Sequence, residues 1–274
     1  MSRLRRSQRI AAIVSRLLER PGELIPLSRF VDELAAAKST VSEDIGLIRD
    51  TFEQLELGRV ETVAGAAGGV RYVPWCSPRR LASLLQDLSR VLSSSDRLLP
   101  GGFVYMTDIV FSPRWASRIG DAFATVFSQA AAEVVLTVET KGIPLALMTA
   151  RALGLPLVTC RRNSRVTEGS SISITYVSGS SRQIETMSLA KRAMAPGSRV
   201  LFIDDFLKGG GTAKGMHDLM AEFGARMVGT GVLVATREPE RKLVEDYVPL
   251  VWLETVDPER QLVRVLPNEA LIRS

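Results

Sequence analysis

The chain of 274 residues has two cysteines, Cys76 and Cys160, and one histidine, His217. Two thiols so far apart exclude a disulfide framework and point to a reducing compartment. A lone histidine with no cysteine beside it speaks against a metal site, and none is expected. It also speaks against a serine hydrolase, for which no G-x-S-x-G turn is present either. His217 is read as a surface or packing residue, and Cys160, at a predicted strand end, as a small buried hydrophobe. Long apolar runs are missing as well. No stretch reaches the roughly 18–20 apolar residues that a membrane-crossing helix needs. Arg16 and Arg20 interrupt the N-terminal run that could otherwise pass for a signal peptide. The expectation is a soluble cytoplasmic protein with no membrane partner. Two nucleotide signatures are also absent: a Walker A loop, and a G-x-G-x-x-G turn after the first strand.

What is present is a composition that can build a core, 46% hydrophobic with 24% charged residues. The net charge of +5 is a weak hint of a polyanionic partner. Residues 1–74 carry 11 basic and 10 acidic side chains, so no basic field covers that region. The bias is local: Arg3, Arg5, Arg6 and Arg9 stand in the first ten residues with no acid among them, the pattern of a basic arm.

The apolar period changes near residue 75. Before it, Ile10, Ile13, Val14, Leu17 and Leu18 mark one helix, which Pro21-Gly22 ends. Ser28 is placed to cap a second, with Phe30, Val31 and Leu34 inward. Ser39 or Ser42 caps a third, whose buried side is Val41, Ile45, Ile48 and Phe52. Two short alternating runs, 59–63 and 70–73, flank a glycine-rich tip and predict a β-hairpin. Three helices and a hairpin make a winged helix-turn-helix, so residues 1–74 are assigned as a DNA-binding domain. A small helical module that binds another protein is the alternative. On the DNA-binding reading, the exposed face of the third helix offers Lys38, Ser39, Thr40, Ser42 and Arg49 to phosphates and base edges. Arg5 and Arg6 join them, and the tip residues Ala66, Ala67 and Gly68 let backbone amides approach the duplex. Glu43 and Asp44 temper that face, although an acid near a helix start is favourable to the helix dipole.

From residue 75 the chain supplies a helix over 78–91 and then alternates strand and helix. Strands are expected at 133–139, 155–160, 200–203, 227–235, 251–256 and 262–266, with helices at 142–153 and 212–223. This alternation predicts an α/β fold, a doubly wound parallel sheet over residues 75–274. The polar excursion at 161–192 reads as hairpins and a flap over a site.

In such sheets ligands bind beyond the carboxyl ends of the strands, where the strand order reverses. Two loops there carry suitable chemistry. One is Glu139-Thr140-Lys141-Gly142. The other, VLFIDDFLKGGGTAKG at 200–215, runs from strand into helix through Asp204, Asp205, Phe206, Lys208, Gly209, Gly210, Gly211 and Thr212. Glycines let backbone N–H groups turn inward, and the helix start adds positive potential, so this loop is a phosphate cradle. The two carboxylates suit ribose hydroxyls or a magnesium ion.

The stretch 200–212 resembles the phosphoribosylpyrophosphate (PRPP) motif of type I phosphoribosyltransferases. That resemblance implies ribose contacts from Asp204 and Asp205, a 5′-phosphate wrapped by residues 208–212, and a pyrophosphate loop at Thr140, Lys141 and Gly142. It places Arg161 and Arg162 facing pyrophosphate. The chain departs from those enzymes at Phe206, Lys208 and Gly209, and shows no clear base-reading segment. Phe103 or Tyr105, in PGGFVYMTD, could stack on a base or pack in the core. Longer segments, among them SEDIGLIRDTFEQLELGRVETVAGAAGGVRYVP and VTEGSSISITYVSGSS, resemble the bacterial purine operon repressor family over nearly the whole chain. That resemblance implies a non-catalytic homodimer on a double-stranded DNA operator. PRPP, with or without Mg2+, would be its inducer, and the guanine nucleotide ppGpp a competitor. An active purine phosphoribosyltransferase with an appended regulatory domain is the alternative.

Overall fold

A computed structural model describes residues 4–65, 68–161, 169–177 and 184–273 of the chain. It divides into two compact units, Met1–Ser77 with Arg151–Leu155, and Pro78–Ala150 with Pro156–Ser274.

In the first unit, α1 (Arg6–Glu19) buries Ile13 and Leu17. The short strand β1 (Ile25–Pro26) leads into α2 (Leu27–Leu34), which buries Phe30 and Leu34. α3 (Lys38–Gln54) buries Val41, Ile45, Ile48 and Phe52 at spacings of three and four, one stripe of a 3.6-residue period. Leu18 lies off the corresponding stripe of α1 and is exposed. β2 (Arg59–Val63) and β3 (Gly69–Val73) form the expected hairpin, and β1 adds to β3, giving an antiparallel sheet in the order β1-β3-β2. This is a winged helix-turn-helix. The expected caps are corrected: Pro26 precedes α2 and Ala37 precedes α3, neither with a side-chain bond, so Ser28, Ser39 and Ser42 lie inside their helices. Proline holds its φ near the helical value without needing a cap, and β1 delivers the chain directly into α2.

The second unit opens with α4 (Pro78–Leu92), a single 3₁₀ turn at Ser95–Arg97, and a hairpin of β4 (Leu98–Leu99) and β5 (Phe103–Val104). α5 (Thr107–Val110) and α6 (Pro113–Val126) follow. Then come β6 (Val134–Val138), α7 (Gly142–Leu153), β7 (Leu157–Cys160), and a hairpin of β8 (Ser171–Val177) and β9 (Ile184–Ala190). The chain ends with β10 (Arg199–Leu207), α8 (Gly211–Phe223), β11 (Arg226–Thr236), β12 (Val248–Asp257), β13 (Leu262–Pro267) and α9 (Ala270–Arg273).

Six strands form one sheet in the order β13-β12-β11-β10-β6-β7, parallel except for the edge strand β13. Helices cover both faces. Met216, Leu219 and Met220 of α8 join Val200, Phe202 and Val232 in one core. On the other side Phe123 and Phe127 pack so closely over Gly231 that a Cβ there would stand 2.8 Å from Phe127 and Ile203. The order reverses between β6 and β10, since β7 lies to one side of that pair and β11 to the other. That is the switch point at which a ligand is expected.

One of the strand boundaries that differ from expectation bears on the site. β10 continues past Ile203 to Leu207, so Asp204 and Asp205 belong to the strand. Pairing with β11 persists to Leu207, whereas pairing with β6 stops at Phe202. The carboxylates therefore stand where β10 is bonded on one side and open on the other.

Candidate phosphate cradle and nucleic-acid interface

The open end of β10 faces a cavity of about 430 Å³. Glu139, Thr140 and Lys141 enter it from the end of β6, Asp204 to Leu207 from β10, and Lys208 to Ala213 from the turn into α8. Gly210 is the residue before α8, with φ of +81°, a backbone conformation that costs glycine little and other residues more. Its carbonyl accepts from Lys214 N–H at 2.8 Å and closes the first turn. The amides of Gly211 to Ala213 then belong to the first turn of a helix, where N–H groups lack intrahelical acceptors and the dipole favours an anion. Lys141 and Lys208 add positive charge to the same cavity.

The two acids differ. Asp204 is buried, and one of its carboxylate oxygens accepts from the Asp205 N–H at 2.9 Å. Burial pushes the Asp205 carboxyl above the usual carboxylate range, opposed by hydrogen bonding with Asp204 and by the charge of Lys141. Gly142 does not line the cavity but sits under it. A Cβ there would stand 2.3 Å from Thr137 Oγ1 and 2.9 Å from an Asp204 oxygen, so only glycine lets β6 and β10 bring their ends together. Thr137 Oγ1 donates to the Ile203 carbonyl at 2.8 Å across the same gap.

Arg161 is not among the residues that line this cavity. Its backbone bridges Ser188 of β9, and its guanidinium stands 3.9 Å from the Glu139 carboxylate, so it is held at the rim by the hairpin. Arg162 lies outside the described residues. Phe103 and Tyr105 line a second, larger cavity of about 1030 Å³, which shares Lys141, Asp205, Phe206 and Lys208 with the first. Both aromatics are exposed, Phe103 by 60%, so core packing does not account for them. Sequence reasoning missed Thr236 and Glu238, which reach this cavity from the end of β11, and the β12 segment from Leu253 to Val256. The carboxyl-end rule applied to β11 was the signal that could have found Thr236. His217 takes a packing role, half-buried in α8 with Nε2 3.1 Å from Thr230 Oγ1. Burial and the nearby Lys214 hold its imidazole below the usual range.

In the first unit Arg6 and Arg9 are not part of an extended arm. Arg6 and Arg9 lie on α1, and both guanidiniums donate to the carboxylate of Asp44, at 3.1 and 2.8 Å. Asp44 is buried on α3, so it does not act as an exposed acid at the helix start. Lys38, Ser39 and Ser42 are exposed in the first turns of α3, with Thr40 partly covered. Arg49 lies further along, donating to Asp50 at 3.0 Å and lining a cavity with Glu53, Glu56 and Arg59, an acidic setting unlike the start of the helix. Gly68 N–H donates to the Gly65 carbonyl at 3.0 Å and closes the wing tip. Ala66, Ala67 and Arg3 lie outside the described residues.

The family model for the bacterial purine repressor N-terminal region matches residues 5–74, and that for the phosphoribosyl transferase domain matches residues 107–262. The chain is 46% identical over 263 residues to the purine biosynthesis transcriptional repressor PurR of Bacillus subtilis, covering 96% of this chain and 92% of that one. The chain belongs to the bacterial purine repressor family. Within this family it is 35% identical over 254 residues to a protein of Lactococcus lactis named a purine biosynthesis transcriptional activator, covering 93% and 94% of the two chains. The fold of the second unit is that of adenine phosphoribosyltransferase from Thermoanaerobacter pseudethanolicus. That structure matches with a TM-score of 0.54 at 19% identity, covering 61% of this chain and 99% of that one. No helix among the described residues is long and apolar enough to cross a membrane.

Proposed function

We propose that this chain is a cytoplasmic, DNA-binding repressor of purine biosynthesis genes whose cradle senses PRPP without turning it over. The observation that carries the reading is the juxtaposition of the Asp204–Asp205 pair with Lys141, Lys208 and the start of α8 in one cavity. Carboxylates accept from ribose hydroxyls, while lysines and helix amides take phosphate oxygens. PRPP carries both kinds of group on one pentose. Among the described residues no cluster of three or more acids, histidines or cysteines is built to hold a metal. A magnesium ion would enter with the ligand's diphosphate oxygens, the way that metal is commonly held. A competing guanine nucleotide such as ppGpp would place its phosphates in the cradle and its base toward Phe103 and Tyr105.

In the first unit, Lys38, Ser39 and Ser42 at the start of α3, with Arg5 and Arg6 at the start of α1, supply the donors that a major-groove contact needs. A homodimer would present two such units to two half-sites. PRPP relieves repression only if the DNA-bound and free states differ in affinity for it. Fluorescence anisotropy on purine promoter fragments, titrated with PRPP, tests this: release of DNA is expected, and unchanged binding at saturating PRPP would refute sensing. Transcription in vitro from the same promoters should fall on adding the protein; a rise would make the chain an activator, as the Lactococcus lactis relative is named.

The phosphoribosyl transferase domain match favours a second reading, an active purine phosphoribosyltransferase. Phe206 and Lys208 both line the cavity, and they depart from the transferase pattern. Incubation with PRPP and each purine base separates the two readings, because steady release of nucleotide and pyrophosphate would require an enzyme.

A further inference from the structure

The second cavity has one wall made entirely by residues 99–107, which is anchored in the core at one end by the buried Met106. β4 and β5 pair over two residues each, Leu98 with Val104 and Leu99 with Phe103. A two-stranded ribbon of that length is not stable by itself in water. Its aromatics do not anchor it either, since Phe103 and Tyr105 are exposed. Between that ribbon and Met106, one guanidinium ties the wall down. Arg97 Nη1 and Nη2 donate to the two carboxylate oxygens of Asp108, each at 2.8 Å, and Nη1 also donates to the Tyr105 carbonyl at 2.9 Å. The Arg97 carbonyl accepts from the Tyr105 N–H at 2.7 Å, so both main-chain groups of Tyr105 are bonded to one residue. The Arg97 side chain is only 14% exposed, whereas that of Asp108 is 47% exposed. Neither residue lines the cavity, so both act from behind the wall.

We infer that the Arg97–Asp108 pair is a positioning device that sets the Phe103–Tyr105 wall and thereby selects for effectors carrying a planar base beyond the ribose-phosphate cradle. The inference rests on the sensing function proposed above. A fork of two parallel N–H donors fixes both distance and plane, which a lysine could not do. Holding the two aromatics in place before binding removes an ordering cost that a base-bearing ligand would otherwise meet. PRPP has no base and does not need the wall.

The test is calorimetric titration of the full chain with PRPP and with ppGpp, comparing the wild type with Arg97→Gln, Asp108→Asn and Asp108→Glu, each checked by thermal melting. Arg97→Gln and Asp108→Asn should weaken ppGpp about tenfold, one or two ordered side chains' worth, and leave PRPP within about threefold. Asp108→Glu, which keeps the carboxylate, should recover most of the loss. If Arg97→Gln fails to fold, Asp108→Asn decides, because that side chain is half in solvent. Equal weakening of both ligands, or no change in either, overturns the inference while leaving sensing intact. Binding of PRPP but not ppGpp by the wild type does the same. A wild type that binds neither ligand instead overturns the sensing function, and the inference with it.

Discussion

The backbone N–H of Leu243 donates to the carbonyl of Gly209 at 3.0 Å. The loop between β11 and β12 thus buttresses the glycine turn from outside, with Val244 buried against it. A methyl group on Gly210 would stand 3.2 Å from the Leu243 nitrogen and 3.3 Å from Val244, on a backbone already at positive φ. Gly210→Ala should cost about 1–3 kcal/mol in the cradle's native geometry. We expect PRPP affinity to fall by about tenfold or more, with operator affinity in the absence of PRPP unchanged, as read by calorimetry and anisotropy. Unaltered PRPP affinity would show that the turn does not contact the ligand.

Asp205 predicts a conflict between stability and sensing. A carboxyl whose folded pKa is raised favours the folded state fully below its unfolded pKa, and that advantage is lost as pH rises through the folded value. Ionising this buried carboxyl therefore costs stability, which the proposed sensing role would require. Asp205→Asn should raise the melting temperature of the ligand-free protein and abolish its response to PRPP. A lowered melting temperature would contradict this account.

Asp44 joins α3 to α1 through two arginines, Arg6 exposed and Arg9 largely covered. Asp44→Ala removes two charge-assisted hydrogen bonds, and because Arg6 can return to water the loss should be about 2 kcal/mol. Faster hydrogen exchange of the first-unit amides, with second-unit amides unaffected, is the expected readout. Operator affinity should fall as well, since Arg6 loses its fixed position beside the start of α3.

Cys160 donates to the Ser188 carbonyl, and burial pushes its thiol up to about 12. Native protein should react with neither of its thiols at pH 8, both Cys76 and Cys160 being buried, and with both in urea. The sign of the pH effect follows. Cys160 favours the folded state fully below the ordinary thiol pKa of about 8.5, and this contribution declines by at most about 1.4 kcal/mol per pH unit above it. Urea midpoints should accordingly fall between pH 8.5 and 10, and Cys160→Ser should flatten that slope.

The first unit was legible because its signals are periodic. Val41, Ile45, Ile48 and Phe52 repeat at three and four residues, and only a helix puts them on one face. α6 escaped notice although Ser112 accepts from Trp115 N–H ahead of Pro113, both residues typical of a helix start. The hairpin of β4 and β5 is too short for alternation to show. Its geometry depends on Arg97 meeting Asp108, eleven residues apart, a pairing no local pattern announces.

The linear order of residues was enough to gather acids, lysine and glycines of 204–212 at the junction of a strand and a helix, and so to point to that junction as a candidate site. Local chemistry carries that much, since a carboxylate pair followed by glycines at a helix start has the same donors and acceptors in any fold. Tertiary structure decided which of the neighbours reach that cradle. Pairing of β10 with β11 beyond its pairing with β6 drew Asp204 and Asp205 into the strand, and the bridge to Ser188 kept Arg161 at the rim. A buried carboxylate at position 44 turned an expected arm into part of a helix pair. Such outcomes depend on which backbone and charged groups are satisfied by partners distant in sequence, and only folding brings those partners together.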